Sequence, residues 1–222
     1  MKKVLLTSGI VLMAMVGANA AYPYAALRLG AGLTNADVYN DIADENFDQR
    51  GAAGFIGKIA FGAASDFGLR GEIEYGFGEL EDEFIVKPAA WRGAEAKADY
   101  SVAQNFIMAN AYYDITTDTK ITPFIGGGVG IGILNTDVEV ESRAAGIDAE
   151  ADSTKTNFVW NVGGGVAYQF NDALTFDVSY RYVDMGKNDI AVRVITTGFD
   201  ETSITNMDIE SHEILVGARY TF

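Results

Sequence analysis

The segment Leu174–Tyr182 reads LTFDVSYRY and alternates apolar with polar residues without a break. The apolar set is Leu174, Phe176, Val178, Tyr180 and Tyr182, and the polar set is Thr175, Asp177, Ser179 and Arg181. Successive side chains of a β-strand point to opposite faces, so this pattern predicts a strand with one apolar and one polar face. The segment from Ile214 to Phe222 repeats the pattern, with Leu215 as its one apolar exception.

Six further segments have the same period of two and complete a set of eight predicted strands. Five of them are regular: 27–33, 55–61, 69–77, 125–133 and 158–170. The sixth, Tyr100–Tyr113, is less regular because polar residues such as Gln104 and Asn105 fall on both of its faces. No stretch after Ala21 approaches the roughly 20 apolar residues that a membrane helix needs. The chain is therefore predicted to be all-β.

The links between these strands alternate in length. The short links carry turn residues and cover 64–67, 116–119 and 171–173, whereas the long links run roughly over 34–50, 81–97, 136–156 and 188–209. This alternation predicts an eight-stranded antiparallel up-and-down transmembrane β-barrel with four long outer loops and three short periplasmic turns. Alternation continues at Val138 and Val140 and again from Ile190 to Val194, which predicts two hairpins that rise beyond the membrane.

The volume of a small barrel decides which faces point inward. Eight strands enclose only enough room for their own side chains, so the bulky apolar faces are predicted to turn outward to lipid. The small and charged faces then line the lumen and form an interior charge network of Arg28, Lys58, Arg70, Glu72, Glu74, Asp177, Arg181 and Arg219. We expect these charges to pair and fill the barrel, which leaves little or no conductance. An ion path along the same residues is the weaker alternative.

Aromatic residues fall near both ends of the apolar faces. Those near the long links are Phe55, Tyr75, Phe77, Trp160 and Tyr182, and those near the short links are Phe61, Tyr113, Tyr168, Phe170, Phe176, Tyr220 and Phe222. Aromatic rings favour the two interfaces of a membrane, so this distribution predicts two girdles around a membrane-spanning barrel.

The first twenty residues have the order of a secretory signal. Lys2 and Lys3 precede an apolar run, Val4–Val16, and the small-residue pattern Ala18-Asn19-Ala20 follows it. A run of this length reaches about 20 Å as a helix and is too short to span a hydrocarbon core of about 30 Å. We therefore expect a cleavable signal peptide at 1–20 and an exported barrel domain at 21–222.

Three glycine-rich and aromatic runs carry a family resemblance: 123–130 (PFIGGGVG), 162–168 (VGGGVAY) with Leu174–Tyr182, and 217–222 (GARYTF). Together they resemble the opacity-type and OmpA-like small outer-membrane β-barrels. The resemblance implies a location in the outer membrane of a Gram-negative bacterium. It also implies that Tyr220 and the terminal Phe222 form the signal that the outer-membrane assembly machinery reads. The chain stops at the barrel, so we expect no peptidoglycan-binding domain.

Composition excludes several functions. The chain has no Cys and one His, which excludes thiolate sites and multi-histidine metal centres, and we expect no cofactor. Its net charge of -15 argues against nucleic-acid binding. Ser211-His212-Glu213 contains hydrolytic residue types, but adjacent strand residues point to opposite faces and cannot form the short contacts of a catalytic triad. We therefore expect no enzymatic activity.

The long links hold 19 acids and 7 bases, including Asp44-Glu45, Glu81-Asp82-Glu83 and the pair Glu139 and Glu141. Such segments are usually solvated surface, but they could also contact lipopolysaccharide through divalent cations or bind a basic host ligand. Two functions remain open: a monomeric, non-enzymatic envelope protein embedded in outer-membrane lipid, or a surface adhesin or invasin whose loops bind a host or matrix ligand. A narrow pore is a weaker third.

Overall fold

The computed structural model describes residues 22–40, 46–86, 96–142, 147–196 and 199–222, and side chains within 22–34, 53–79, 103–135, 154–186 and 209–222. Eight strands make up the fold: β1 (Tyr22–Asn40), β2 (Asn46–Ala64), β3 (Leu69–Val86), β4 (Ala96–Asp114), β5 (Ile121–Ser142), β6 (Ile147–Gln169), β7 (Leu174–Thr196) and β8 (Phe199–Thr221). Each strand pairs antiparallel with its neighbours in chain order, and β1 pairs with β8 to close a barrel. The predicted fold class and strand order are confirmed. Within the described ranges, no helix is long and apolar enough to cross a membrane.

The apolar faces of the strands point outward. Leu27, Ile125 and Val178 are 48%, 60% and 55% exposed, whereas Arg28 and Arg181 are each only 4% exposed. A continuous belt of exposed aliphatic and aromatic side chains is stable only against hydrocarbon. The predicted orientation, with bulky residues toward lipid and small and charged residues in the lumen, is therefore confirmed.

The three short links are tight turns at one end of the barrel. In the first, the Ser65 N–H donates to the Leu69 carbonyl at 2.8 Å, and Gly68 has a φ of 88°, which a side chain would disfavour. In the third, the Asn171 side-chain oxygen accepts the N–H groups of Ala173 and Leu174 at 3.0 and 2.8 Å. This local bond is the reason that Asn is favoured in such turns.

Three of the four long links, 34–50, 136–156 and 188–209, are paired strand over most of their length. The β5–β6 pairing continues to Ser142 opposite Ile147, and the β7–β8 pairing continues to Thr196 opposite Phe199. The two hairpins predicted at these positions are therefore present, and their position beyond the membrane stays a prediction. The β1–β2 and β3–β4 pairs extend similarly, to Tyr39 opposite Asn46 and Val86 opposite Ala96. Asp44 and Glu45 lie outside the described residues.

Two seams of the barrel end earlier than the others. The register of β2 with β3 ends at Phe55 opposite Glu79, and that of β6 with β7 ends at Trp160 opposite Asp184. Beyond these pairs the strands form two four-stranded sheets, which we call the first arm (β7, β8, β1, β2) and the second arm (β3, β4, β5, β6). The barrel is thus closed toward the short turns and divided toward the long links.

A bulge marks the end of the β6–β7 seam. The β7–β8 register shifts between Asp184 and Lys187, where Gly186 has a φ of 75°. The Gly186 N–H donates to the Asp184 side chain at 2.8 Å, and the Asn157 side chain donates to the Met185 carbonyl at 3.1 Å. Bulges interrupt ladder pairing and increase strand twist, and this one lies where the β6–β7 ladder ends.

The interior is layered along the barrel axis. Toward the arms, seven buried apolar residues pack together: Phe106, Met108, Leu134, Val159, Val183, Met185 and Ile209. At the turn end, Tyr24 packs with Ala26 and Ala60, and Tyr112 packs with Phe124 and Ala167. Charged side chains occupy the layer between them. The sequence pattern did not predict the outer apolar layer.

Candidate functional site: the charged lumen

The charged layer is built from inward-facing positions of six strands. Arg28 lies on β1, Lys58 on β2, Glu72 and Glu74 on β3, Arg181 on β7, and further members on β4 and β8. Because inward positions recur every second residue, Glu72 and Glu74 project into the lumen one above the other. The layer therefore links strands that are not neighbours in the sheet.

Glu74 is the centre of the network. Its Oε1 accepts from Arg181 Nη1 at 2.6 Å and lies 3.7 Å from Lys58 Nζ, while its Oε2 accepts from Arg28 Nη1 at 3.0 Å. All four side chains are at least nine-tenths buried. A buried carboxylate with three cationic neighbours is well compensated for its lost hydration.

Glu72 is satisfied by a different set of partners. Arg28 donates to both of its oxygens, at 2.8 and 3.0 Å, in a two-pronged pair. The hydroxyls of Tyr112 and Tyr24 donate to the same carboxylate at 2.9 and 3.0 Å. Tyr112 in turn accepts from Arg181 Nη2 at 3.0 Å, which joins the two glutamates into one network.

Two bases lie nearer the turn end. Arg70 Nε donates to the Asp114 carboxylate at 2.7 Å, and its guanidinium stacks 4.7 Å from the Tyr112 ring centroid. Arg219 lies 5.4 Å from the Tyr24 ring centroid. These cation–aromatic contacts hold the two guanidinium groups against the Tyr112 and Tyr24 rings at the turn end of the lumen.

The remaining acids are Asp177 and Glu213. Asp177 Oδ1 lies 3.8 Å from Arg28 Nε, a separation too long for a hydrogen bond. Glu213 Oε2 lies 2.8 Å from Lys58 Nζ, and both side chains are almost fully buried. Asp177 Oδ1 thus has a longer charge contact, whereas Glu213 has a close cationic partner.

All eight residues predicted for the network lie in or at the border of the lumen, and the structure adds two acids that the sequence analysis missed. Glu213 precedes the regular alternation of β8, which begins at Ile214, and Asp114 ends the irregular β4. With them, the five bases Arg28, Lys58, Arg70, Arg181 and Arg219 face the five acids Glu72, Glu74, Asp114, Asp177 and Glu213. The described interior is therefore neutral.

The apolar layer covers this network on the outer side. Met185 and Val159 have no exposed surface and Leu134 has 1%. An ion crossing the barrel would lose its water in this layer and then have to separate buried salt bridges, both of which cost several kcal/mol. The arrangement favours a sealed barrel.

The structure separates the three residues of the Ser211-His212-Glu213 motif. Ser211 and Glu213 are buried in the lumen, whereas His212 is on the outer face, where its Nδ1 lies 2.6 Å from the Tyr180 hydroxyl. Ser211 contacts Thr34 at 3.4 Å. The three side chains share no site. Among the described residues, no group of three or more His, Asp or Glu side chains could hold a metal ion.

Tyr220 and Phe222 lie at the turn end of β8, on the outer face. They are 52% and 72% exposed, and their rings meet edge to face at 5.4 Å. The Phe222 N–H donates to the Pro23 carbonyl at 3.0 Å, which attaches the last residue to β1.

The closed barrel with its apolar outer belt matches a known protein family. The family model described as "Outer membrane protein beta-barrel domain" matches residues 4–222. The chain belongs to this family. It is therefore an outer-membrane protein, and the predicted resemblance and location are confirmed.

Two curated relatives match part of the chain. The outer membrane protein PagN of Salmonella typhimurium is 31% identical over 117 residues, which cover 52% of this chain and 48% of PagN. A putative adhesin of Rickettsia typhi is 26% identical over 145 residues, covering 64% of this chain and 62% of the adhesin. The matched region thus spans about half to three-fifths of these relatives.

Similar solved structures include Neisserial surface protein A, with 20% identity and a TM-score of 0.49 over 89% of this chain and 99% of that one. The attachment invasion locus protein Ail of Yersinia pestis, solved with a heparin analogue, has 15% identity and a TM-score of 0.40 over 90% of this chain and 99% of Ail.

Proposed function

We propose that this outer-membrane barrel is a non-enzymatic surface adhesin, in which a sealed membrane segment supports two arms that bind a host or matrix ligand. The observation that carries the proposal is the length of the strands. β7 has 23 residues and at about 3.3 Å per residue reaches roughly 75 Å, whereas about 9–11 residues suffice to span the membrane. A protein that only anchored itself would not need these extensions. The putative adhesins among its relatives support the same proposal.

The test is adhesion by a non-adherent bacterium that expresses the protein. The matched control is a trimmed variant in which each hairpin is cut back to the membrane and closed with a short turn, leaving the belt from Leu27 to Leu33 and its equivalents intact. We expect the full chain to confer binding to cultured host cells and the trimmed chain to confer none at equal surface amount. Equal adhesion by both variants contradicts the proposal.

A second function, a contribution to envelope integrity, is favoured by the salt-bridged interior. A barrel held by buried salt bridges across the lumen adds a rigid element to the membrane. In a deletion strain, detergent resistance restored by the trimmed barrel supports this role for the strands alone. Resistance restored by the full chain alone assigns the envelope effect to the arms.

We also propose how the chain reaches and occupies the membrane. Residues 1–20 act as a signal peptide that is removed before Ala21, and the outer-membrane assembly machinery recognises Tyr220 and Phe222. The barrel functions as a monomer surrounded by outer-membrane lipid and lipopolysaccharide. Mass spectrometry of the purified protein tests cleavage, since its mature N-terminus is expected at Ala21.

A further inference from the structure

The division of the barrel leaves strand edges open. Beyond Phe55–Glu79 and Trp160–Asp184, β2, β3, β6 and β7 continue for several residues, and in the described residues each pairs on one side only. An open edge presents a row of backbone N–H and C=O groups that can pair with another extended chain. Peptide recognition by strand addition uses such edges.

The edge of β7 is the least protected of the four. Its outer part, Asn188–Thr196, reads NDIAVRVIT and contains no Pro or Gly and only two charged residues. The β2 edge contains glycines, the β3 edge carries three consecutive acids at 81–83, and the β6 edge carries acids at 148, 150 and 152. Glycine and charge both discourage pairing, so β7 is the edge best suited to accept a strand.

We infer that an extended, positively charged segment of a partner protein adds to the open edge of β7 at Asn188–Thr196, in the cleft between β6 and β7. The inference rests on the proposed adhesin function and names the kind of partner that the arms bind. In this inference the first arm recognises its partner through backbone hydrogen bonds.

The positive charge of the partner follows from the strand on the other side of the cleft. The β5–β6 register places Asp137 opposite Asp152, Glu139 opposite Glu150 and Glu141 opposite Asp148. The outer β5–β6 pair thus carries six acidic residues at these register positions. A surface that carries one sign of charge attracts a segment of the opposite sign, so a cationic segment is favoured over a neutral or acidic one.

The register identifies which amides of β7 are available. The Thr221 N–H donates to the Ala173 carbonyl, so the residues of β7 that bond to β8 have odd numbers below the bulge. Above the bulge, the one-residue shift between Asp184 and Lys187 means that the even-numbered residues of β7 bond to β8. Residues of the other parity point to the opposite edge in an antiparallel ladder. The N–H of Ala191 therefore points into the cleft.

The experiment measures binding of a fluorescent peptide of four Lys-Val repeats to the full-length barrel in lipid nanodiscs, by anisotropy. A second probe has the same sequence with an N-methyl group on every residue, which keeps the charge and removes the amide donors. We expect the first probe to bind at least tenfold more tightly than the second. Equal binding of the two probes overturns strand addition and leaves charge attraction alone.

Two variants locate the site. Ala191→Pro removes a cleft-facing amide without removing a β7–β8 bond, and we expect at least a tenfold loss of affinity for the unmethylated probe. The matched control is Ile85→Pro on the open edge of β3, where the even-numbered residues bond to β4 because the Asp114 N–H donates to the Gly68 carbonyl. Unchanged binding by Ala191→Pro, or an equal loss in the control, contradicts the assignment to β7.

The outcomes are separable from those of the adhesion test. If the full chain confers adhesion and the trimmed chain does not, but the peptide binds neither edge, the adhesin proposal stands and strand addition fails. If the peptide binds β7 and the cells do not adhere, strand addition to β7 is supported and the proposed adhesin function fails. The heat-dependent gel shift of a folded barrel shows that each proline variant has folded, and the methylated probe tests the idea on the unaltered protein.

Discussion

Lys58 on β2 and Glu213 on β8 are joined at 2.8 Å across β1, the strand that lies between them. Both side chains are almost fully buried. Glu213 also lies directly opposite Arg181 in the β7–β8 register, and Lys58 also lies 3.7 Å from Glu74. The pair therefore fastens the seam at which the barrel closes.

Removing one member of this pair should destabilise the barrel more than removing both. Lys58→Met removes the cation that lies 2.8 Å from the buried Glu213 carboxylate, and we expect a loss of about 3 kcal/mol in the free energy of unfolding. The double variant Lys58→Met with Glu213→Leu should recover most of that loss. Urea unfolding in lipid vesicles provides the measurement. A double variant as unstable as the sum of the single ones contradicts the pairing.

Glu74 should be more important than Arg219. Glu74→Gln removes the charge that compensates Arg181, Arg28 and Lys58, and we expect a loss of about 3–5 kcal/mol. Arg219 stacks on Tyr24 and has no salt bridge shorter than 4 Å among those described, so Arg219→Met should cost less than about 1 kcal/mol. Thermal unfolding of the two variants ranks them. An equal cost indicates that Glu74 is not the centre of the network.

The barrel should not conduct ions. The apolar layer and the salt-bridged layer lie in series, so we expect no stable channel openings in planar bilayers at neutral pH. Met185→Ser should also remain closed, because the charge network below it is unchanged. A triple variant of Glu74→Ala, Arg28→Ala and Arg181→Ala is the control that opens the narrowest part. Openings in the unmodified protein contradict the sealed interior.

Gly163 should not tolerate a side chain. A Cβ at Gly163 would meet the Tyr180 carbonyl oxygen on β7, which is part of the ladder and cannot move aside. We expect Gly163→Ala to destabilise the barrel by about 1–3 kcal/mol. Gly76→Ala is the matched control, because its nearest neighbours would be side-chain atoms at 3.6 Å, an ordinary contact distance. Similar stability of the two variants contradicts this account.

Truncating the terminal aromatic ring should reduce assembly rather than stability. The Phe222 ring is 72% exposed and packs only against Tyr220 among the described rings, so its loss removes little burial. We expect Phe222→Ala to accumulate in the periplasm several-fold and to refold normally from urea into vesicles. Phe67→Ala, at a similarly exposed ring in the first turn, is the control. Slow refolding of Phe222→Ala in vesicles indicates a structural role.

The belt and the charge network follow directly from the alternation of residues such as Phe176 and Asp177. The small volume enclosed by eight strands then decides which face of each strand points into the lumen. Glu213 and Asp114 were missed because each lies where a strand's alternation is interrupted, although its position in the register is fixed by neighbouring strands. Asn105 disrupted the pattern of β4 because it faces outward, where its side-chain oxygen accepts from the Tyr75 hydroxyl at 2.7 Å.

The extent of the strands was harder to predict. Above the membrane both faces of a sheet meet water, so alternation is no longer required and segments such as 81–83 read as loop. The outer apolar layer was missed because residues such as Met108 and Val159 share a face with polar ones. The division into arms depends on where two seams end, which is determined by the bulge at Gly186 on one side and cannot be read from either strand alone.

The continuity of the strands from the membrane into the arms has a mechanical consequence. A load on either arm acts along the axes of four strands that continue through the hydrocarbon core. The ladder bonds are perpendicular to those axes, so they resist the load together by shear rather than opening one after another. A cell held through such an arm is anchored by the whole wall of the barrel, and detachment requires the bound partner to release first.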